Sequence, residues 1–363
     1  MTRRGYLDWL RGVAVLIMIE AHTLDSWTAV DDRANAAYRW AIVVGGFGAP
    51  IFLFLAGIAL ALASGARLRA TSSPAQAAAR MRRRGWQIFG LAFLFRLQSW
   101  IISGGEPSQT ILKVDILNIM GIAMLMAALV WSVGRGRRSR AIALASAAIV
   151  LAMVTPLVRT LPLLDGLPDP IEWYFRPYPG RTTFTIFPWA GFLLAGSAVG
   201  MWLDAARSDQ QERRVISGLA LFGPALALGG YAASFLPAIY EETSFWTSSP
   251  TFFFLRLGVL ISAIPVAYLW NAWASGRSPL RELGLSSLFV YWIHVEMVYG
   301  VVSIPIHRHL SFPQAVVGLV AFSIFIYWLV RLKDRYKRER SDRLRSSGRL
   351  PKVKGGRRAI MAN

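Results

Sequence analysis

The first apolar stretch of the chain carries ionisable side chains that could act together in chemistry. At 100° per residue on an α-helix, four of them share one face: Asp8, Arg11, His22 and Asp25. Arg11 and His22 are separated by ten residues and stand about 16 Å apart along the axis. A carboxylate one turn from an imidazole can orient the ring for proton transfer, so His22, Asp25 and Arg11 are the candidate catalytic residues. The structural alternative, which periodicity leaves open, is an i,i+3 pair of Asp8 with Arg11, with His22 and Asp25 marking the helix end.

Further polar side chains inside apolar stretches are candidates for contact with a substrate, because burying such groups in a membrane is costly. The predicted substrate-binding residues are Asp8, Arg96, Asp115, Asn118 and His294. For His294, a packed residue bonded to a neighbouring carbonyl remains open as an alternative. Glu20 lies on a different face from His22 and is expected to form a structural ion pair. Arg256, at one end of a later apolar stretch, is a weaker candidate.

Composition excludes several kinds of chemistry. The chain has no cysteine, which rules out disulfides, thiolate metal sites and a cysteine acyl-enzyme. It has no HExxH sequence, glycine-rich phosphate loop or GxSxG sequence, and no His and carboxylate run with metal-ligand spacing. No metal and no bound cofactor are therefore predicted. The formal net charge of +20 lies in short runs between apolar stretches, which argues against nucleic acid as a partner.

Transmembrane helices are the elements that must position these residues. A chain of 363 residues with 55% hydrophobic and only 17% charged residues is typical of a polytopic membrane protein. We predict an all-α integral membrane protein with about ten transmembrane helices, each needing about 20 mostly apolar residues. The stretches lie near 7–24, 40–64, 86–104, 114–133, 141–158, 184–203, 215–236, 251–272, 284–304 and 313–332. Gly196 and Gly200 form a small-xxx-small pair that is expected to serve helix packing.

The distribution of positive charge predicts the orientation of these helices. Most of the 40 lysine and arginine residues fall in alternate connecting segments and in the C-terminal tail. By the positive-inside rule, both termini are then cytoplasmic. The predicted domains are a membrane domain over 1–332 and a basic cytoplasmic tail over 333–363, expected to be disordered and to rest on anionic lipids. The longest outer loop, 159–183, is rich in proline and charge and is a candidate cover for an outward-facing site.

An ordered set of short motifs resembles the transmembrane acyltransferase superfamily. The spacing of Arg11 and His22 is similar to the Arg-x10-His motif of the type 3 membrane acyltransferases, which modify surface glycans. Three later segments resemble bacterial homologues of heparan-alpha-glucosaminide N-acetyltransferase: 47–57 (FGAPIFLFLAG), 114–122 (VDILNIMGI) and 187–191 (FPWAG). The stretch 283–294, which ends in His294, looks like a late helix seen in both families. The resemblance covers residues from about 5 to 304.

The resemblance implies a reaction class. It indicates a membrane-embedded acyltransferase of the bacterial inner membrane that moves an acyl group, expected to be acetyl, from acyl-CoA to an acceptor. The acceptor would be a hydroxyl or amine of a glycan, a lipid-linked sugar or another envelope molecule. The arginine clusters within 67–84 and 135–140 suit the phosphates of the donor.

One departure limits what the resemblance carries over. The eukaryotic lysosomal enzyme of the second family has its active histidine in the outer loop after helix one, and this chain has no histidine there. The glucosaminide substrate is therefore not carried over. The competing interpretation is a multi-pass transporter or flippase, including a proton-coupled one, because buried Asp, Arg, Glu and His suit that function as well.

Overall fold

The chain is helical throughout the part that the structure describes. The computed structural model describes residues 4–103, 107–274 and 276–346. Over these residues it forms thirteen α-helices, four short 3-10 helices and no β-strand beyond two isolated bridges. Because an α-helix satisfies its backbone groups internally, this is one of the two architectures that lipid permits. The prediction of an all-α fold is confirmed.

The α-helices follow the apolar stretches, with short helices in some of the connections. Their bounds are α1 Gly5–Trp27, α2 Ala36–Gly45, α3 Gly48–Thr71, α4 Pro74–Ser103, α5 Ile116–Val133, α6 Arg137–Thr160, α7 Asp169–Glu172, α8 Ile186–Ala205, α9 Asp209–Ala233, α10 Pro250–Trp273, α11 Pro279–Leu285, α12 Ser287–Tyr299 and α13 Phe312–Ser346. The 3-10 helices are Asp31–Ala34, Ser108–Leu112, Pro162–Gly166 and Val301–Ile306.

Seven segments of the described chain are long and apolar enough to cross a membrane. They are Ala36–Thr71, Ile116–Val133, Arg137–Thr160, Ile186–Ala205, Asp209–Ala233, Pro250–Trp273 and Phe312–Leu344. Each overlaps one of the ten predicted stretches. The first and third predicted stretches are also long helices, α1 and α4, but polar residues such as Glu20 in α1 and Arg96 in α4 make them less apolar. The structure therefore supports an integral membrane protein but does not confirm the predicted count of about ten transmembrane helices.

The ninth predicted span, 284–304, is not one helix, and this prediction was wrong. Ser286 leaves the helical conformation (φ −107°, ψ 14°) and separates α11 from α12. α12 has 13 residues, or about 20 Å of helix, which is too short to cross the hydrocarbon core alone. Gly300 and Pro305 are poor helix formers, and the chain continues past Gly300 as the 3-10 helix Val301–Ile306.

The helices group into two compact units. The terminal unit combines the chain up to residue 42 with the chain from residue 275 onward, and it contains α1, α11, α12 and α13. The central unit is residues 43–274 and contains α3 to α10. The sequence had indicated a single membrane domain over 1–332.

The predicted tail is helical where the structure describes it. α13 extends to Ser346, so the prediction of disorder from residue 333 was wrong for 333–346. Arg331, just before the predicted tail, donates to the carboxylate of Glu282 in α11 at 3.3 Å. Lys333, at the beginning of the tail, donates to the hydroxyl of Ser286, the residue that follows α11. The remainder of the predicted tail, 347–363, lies outside the described residues.

Glycines set the closest helix contacts in both units. In the terminal unit, a Cβ on Gly12 of α1 would lie 1.9 Å from the carbonyl oxygen of Leu280, and a Cβ on Gly284 of α11 would lie 1.9 Å from that of Asp8. In the central unit, a Cβ on Gly196 would lie 2.0 Å from the carbonyl oxygen of Phe54, and one on Gly200 would lie 2.8 Å from Ala61. The prediction that Gly196 and Gly200 serve helix packing is confirmed.

Large apolar side chains are exposed on the outside of the central unit, as expected for a protein surrounded by lipid. Leu221 of α9 is 78% exposed and Trp273 of α10 is 88% exposed. Exposed apolar area of this kind is disfavoured in water and matches hydrocarbon.

We expect Gly12→Ala to lower the stability of the protein, because the added methyl group cannot fit between α1 and the backbone of α11. Overpacking of this kind costs about 1–3 kcal/mol. The matched control is Gly218→Ala in α9, where nothing lies within 4 Å of an added Cβ. Thermal unfolding of both variants in detergent measures the difference, and equal midpoints for the two would show that α1 and α11 are not packed this closely.

Candidate functional site

A direct bond between two imidazoles forms the centre of the terminal unit. Nδ1 of His22, in α1, lies 2.9 Å from Nε2 of His294, in α12. The two rings are nearly parallel, with an interplanar angle of 7° and centroids 5.1 Å apart. His294 is fully buried, whereas His22 is half-buried. The structure thus brings together two of the residues that the sequence singled out separately, 272 positions apart.

The second bond of His294 determines which nitrogen of His22 carries a lone pair. Nδ1 of His294 lies 2.7 Å from the carbonyl oxygen of Val290, which can only accept, so this nitrogen holds a hydrogen. In a neutral pair, Nε2 of His294 is then the acceptor and Nδ1 of His22 is the donor. The lone pair of the His22 ring is consequently on Nε2, the atom that faces away from the bond.

Asp25 and Tyr299 lie next to this pair. The hydroxyl of Tyr299 donates to the carboxylate of Asp25 at 3.1 Å, and the Tyr299 ring meets the His22 ring edge-on at 5.5 Å. Arg33 forms an ion pair with Asp25 at 3.8 Å and donates to the Asp25 carbonyl at 2.5 Å. The described bond of His22 Nδ1 is thus to His294, and the described side-chain bonds of Asp25 are to Tyr299 and Arg33. The predicted contact of Asp25 with His22 stays a prediction.

The bonds of His294 bear on its predicted role as a substrate ligand. Both ring nitrogens are engaged within the chain, by His22 and by the carbonyl of Val290. Direct binding of a substrate to this imidazole would require one of these bonds to break. Its position favours support of the His22 ring instead.

The other end of α1 holds an ion pair. Arg11 donates to the carboxylate of Asp8 at 3.4 Å, and Asp8 is buried. This is the i,i+3 pairing that the structural interpretation of these two residues requires. Glu20 was expected to form an ion pair as well. Its buried oxygen Oε2 has no hydrogen-bond partner among the residues that the structure describes.

Three of the predicted substrate-binding residues meet in the central unit, where they bond to one another. Asp115 is the N-cap of α5: one carboxylate oxygen accepts from the backbone N–H of Ile116 at 2.9 Å, and the other accepts from Arg96. Asn118 completes a capping box by accepting from the backbone N–H of Asp115 at 3.1 Å. Both oxygens of Asp115 are therefore used within the chain, which favours a structural role.

The predicted outer loop 159–183 is folded and contacts this cluster. The phenol oxygen of Tyr174 accepts from the side-chain amide of Asn118 at 3.3 Å, and burial raises the pKa of Tyr174. Arg176 binds the carboxylates of Asp165 and Glu172 and the carbonyl of Leu161, so it joins the two ends of the loop. Hydrogen bonds to these carboxylates, that of Asp165 above all, raise the pKa of Arg176.

The arginines that were predicted to bind the donor phosphates differ in how exposed they are and in whether they are already bonded within the chain. Arg140 is buried; its guanidinium stacks 3.8 Å from the centre of the Trp131 ring and donates to the carbonyl of Gly134 at 3.0 Å. Arg69 pairs with Asp204 at 2.6 Å. Arg67 and Arg69 are exposed but bonded within the chain, Arg67 to Gln76 at 3.0 Å. The exposed members with no described side-chain bond are Arg80, Arg82, Arg83 and Arg84 near the beginning of α4, and Arg135, Arg137 and Arg138 near the beginning of α6. A phosphate would meet these seven side chains first.

Arg256 occupies a more specific position than its sequence context suggested. Its guanidinium carbon lies 4.0 Å from the centre of the Phe252 ring and 5.9 Å from those of Phe47 and Trp189. Phe252 is one turn before Arg256 on α10 and could have been anticipated from i,i+4 spacing. Phe47 and Trp189 come from two distant segments, which a single sequence cannot connect.

The fold and the polar groups inside it define an integral membrane protein. A family model described as heparan-alpha-glucosaminide N-acetyltransferase, catalytic, matches residues 3–236, and the chain belongs to this family. Membership implies acetyltransferase activity. The matched segment includes His22, Asp25, Arg96 and Asp115, whereas His294 and Arg256 lie beyond its end. Comparison with the curated proteins gave no match.

We expect Asp115→Ala to unfold the protein at a lower temperature, because it leaves Arg96 without its carboxylate and removes the cap of α5. Breaking a buried ion pair on one side costs about 3–5 kcal/mol. The double variant Arg96→Met with Asp115→Ala should recover part of this loss, since it no longer buries an unpaired charge. If Asp115→Ala instead loses activity at unchanged thermal stability, the result would support the predicted role of Asp115 in substrate binding.

Proposed function

We propose that this chain is a membrane acetyltransferase that uses acetyl-CoA as donor and His22 as its general base. The acceptor is a hydroxyl or amine of a glycan or another envelope molecule. The observation that carries the proposal is the bond between His22 and His294, because it supplies a base with a defined tautomer in a chain of an acetyltransferase family.

The chemistry follows from the lone pair that this tautomer places on Nε2 of His22. This atom takes the proton of the acceptor hydroxyl or amine as the acceptor attacks the thioester carbonyl of the donor. The carbon–sulfur bond breaks, and the proton passes from His22 to the departing CoA thiolate. If the acetyl group is first carried on the enzyme, the same lone pair forms the acyl-histidine. Trapping labelled protein in the absence of acceptor distinguishes the two routes.

His294 and Asp25 act as positioning residues in this mechanism. His294 holds the Nδ1 hydrogen of His22 and thereby keeps the lone pair on Nε2, as the carboxylate does in a hydrolytic triad. Asp25 acts through Tyr299, which it binds and whose ring edge meets the His22 ring. Arg11, three turns away on α1 and paired with Asp8, is assigned to the structure of that helix end.

The donor is proposed to enter from the cytoplasm, where acyl-CoA is made. The exposed arginines at the beginnings of α4 and α6 are suited to its phosphates. This proposal includes the predicted orientation with both termini in the cytoplasm, about ten membrane crossings and a location in the bacterial inner membrane. The alternative of a transporter or flippase has no support from the comparison with families.

We expect His22→Ala to lower the rate of transfer by about 10²–10⁴-fold. Inverted membrane vesicles that contain either form at equal levels are supplied with acetyl-CoA labelled in the acetyl group. Label in glycans and lipids and release of free CoA are both measured. The matched control is His309→Ala, since His309 is exposed on a loop and should leave both signals unchanged. Equal signals from wild type, His22→Ala and vesicles that lack the protein would rule out the proposal.

We expect variants of His294 to separate a positioning role from a role in substrate binding. His294→Gln retains an acceptor for the Nδ1 hydrogen of His22 and should keep more activity than His294→Leu, which has none. The loss in His294→Leu should fall on kcat with KM little changed, because the residue acts through His22. A rise in KM at constant kcat would show that His294 contacts the substrate.

A further inference from the structure

Arg256 differs from the other buried or half-buried arginines of the central unit in what surrounds it. Arg96 has the carboxylate of Asp115, and Arg140, which also stacks on a ring, donates to the carbonyl of Gly134. Arg256 has three aromatic rings around it, with Phe252 closest at 4.0 Å. No described hydrogen bond or ion pair joins it to another residue of the described chain; its Nε is buried without a partner, as is that of Arg96.

This arrangement leaves a cation in apolar surroundings without a counter-ion. Cation–π attraction offsets only part of the cost of removing a guanidinium from water. Buried charges in proteins are otherwise paired, and a charge retained in a membrane helix marks function by default. The protein therefore keeps Arg256 at a cost in stability that a bound anion would remove.

Two of the three rings around Arg256 come from motifs that first suggested the family. Phe47 begins the FGAPIFLFLAG segment before α3, and Trp189 is in the FPWAG segment at the beginning of α8. Arg256 itself lies beyond the matched segment, on α10. Each of the two motifs thus places one aromatic ring within 5.9 Å of the same guanidinium carbon.

The terminal nitrogens of Arg256 are the part of the side chain that a ligand can reach. The residue as a whole is half-buried, and of its nitrogens only Nε is both buried and without a partner. A guanidinium carries its terminal N–H groups in the fork geometry that matches a carboxylate or phosphate.

We propose that Arg256, enclosed by Phe47, Trp189 and Phe252, binds an oxyanion of a substrate, either a carboxylate or a phosphate. The anion belongs to the donor, as a CoA phosphate, or to an acidic acceptor, as a sugar carboxylate. The assignment to a substrate rests on the proposed function, but the anion site does not.

Thermal unfolding of the full chain in neutral detergent tests the site without requiring activity. Three anionic probes are compared with neutral counterparts: coenzyme A with pantetheine, glucuronate with glucose, and short-chain phosphatidylglycerol with monoacylglycerol. Wild type should be stabilised by at least one anion and not by its counterpart. Arg256→Gln should bind that anion about 10–100-fold more weakly, the range expected for a lost charge-assisted hydrogen bond. Arg256→Lys keeps the positive charge but loses the two-pronged guanidinium. Its affinity for the anion should lie between those of wild type and Arg256→Gln.

Two controls and the unliganded state complete the experiment. Arg213→Gln, which changes an exposed arginine of α9, and His22→Ala should respond to the anion as wild type does, so failure of the transferase proposal would leave this result intact. Without ligand, Arg256→Gln should unfold at the same or a higher temperature than wild type. The proposal is overturned if Arg256→Gln unfolds earlier and no anion stabilises wild type selectively. Stabilisation by phosphatidylglycerol alone would make the ligand a lipid and overturn its assignment to a substrate.

Discussion

Lipid offers no partner to a polar group, so each ionisable side chain of the apolar segments must find one within the protein. This constraint accounts for much of the internal arrangement of each unit. In the terminal unit it joins α1 to α12 through His22 and His294, and it pairs Arg11 with Asp8. In the central unit it pairs Arg96 with Asp115 at the beginning of α5. Arg256 has no carboxylate partner among the described residues, and the rings of Phe252, Phe47 and Trp189 lie around it.

Under the proposed function, the histidine pair orients a general base by a neutral partner in place of a buried carboxylate. A carboxylate held behind an imidazole introduces a second charge, and in apolar surroundings that charge must itself be solvated. A neutral imidazole can fix the tautomer of its neighbour at no such cost, provided that its own second nitrogen is satisfied. The carbonyl of Val290, one turn earlier on α12, fulfils that condition. The carboxylate of Asp25, on the same helix as His22, is exposed and bonded to Tyr299.

The extent to which the sequence predicted this structure follows from how local each signal is. Hydropathy is local, and it located the long helices; it failed at 284–304 because Ser286 interrupts a helix without interrupting the apolar run. Asp115 and Asn118 were interpreted as substrate ligands, although their i,i+3 spacing before an apolar run also fits a capping box. The contact of His22 with His294, and that of Arg256 with Phe47 and Trp189, join distant segments. A single sequence contains no information about such pairs beyond the polarity of their members.

The length of α13 has a mechanical consequence. Its 35 residues make a rod of about 52 Å, whereas the hydrocarbon core is about 30 Å thick. Even if the apolar half crosses the whole core, some 20 Å of helix projects beyond it, and that part carries the lysines and arginines between residues 331 and 343. A flexible tail would let these charges settle anywhere within reach. A helix is stiff, and this one is bonded to Glu282 and Ser286 where its basic part begins. The spacing of the charges along its axis is therefore fixed.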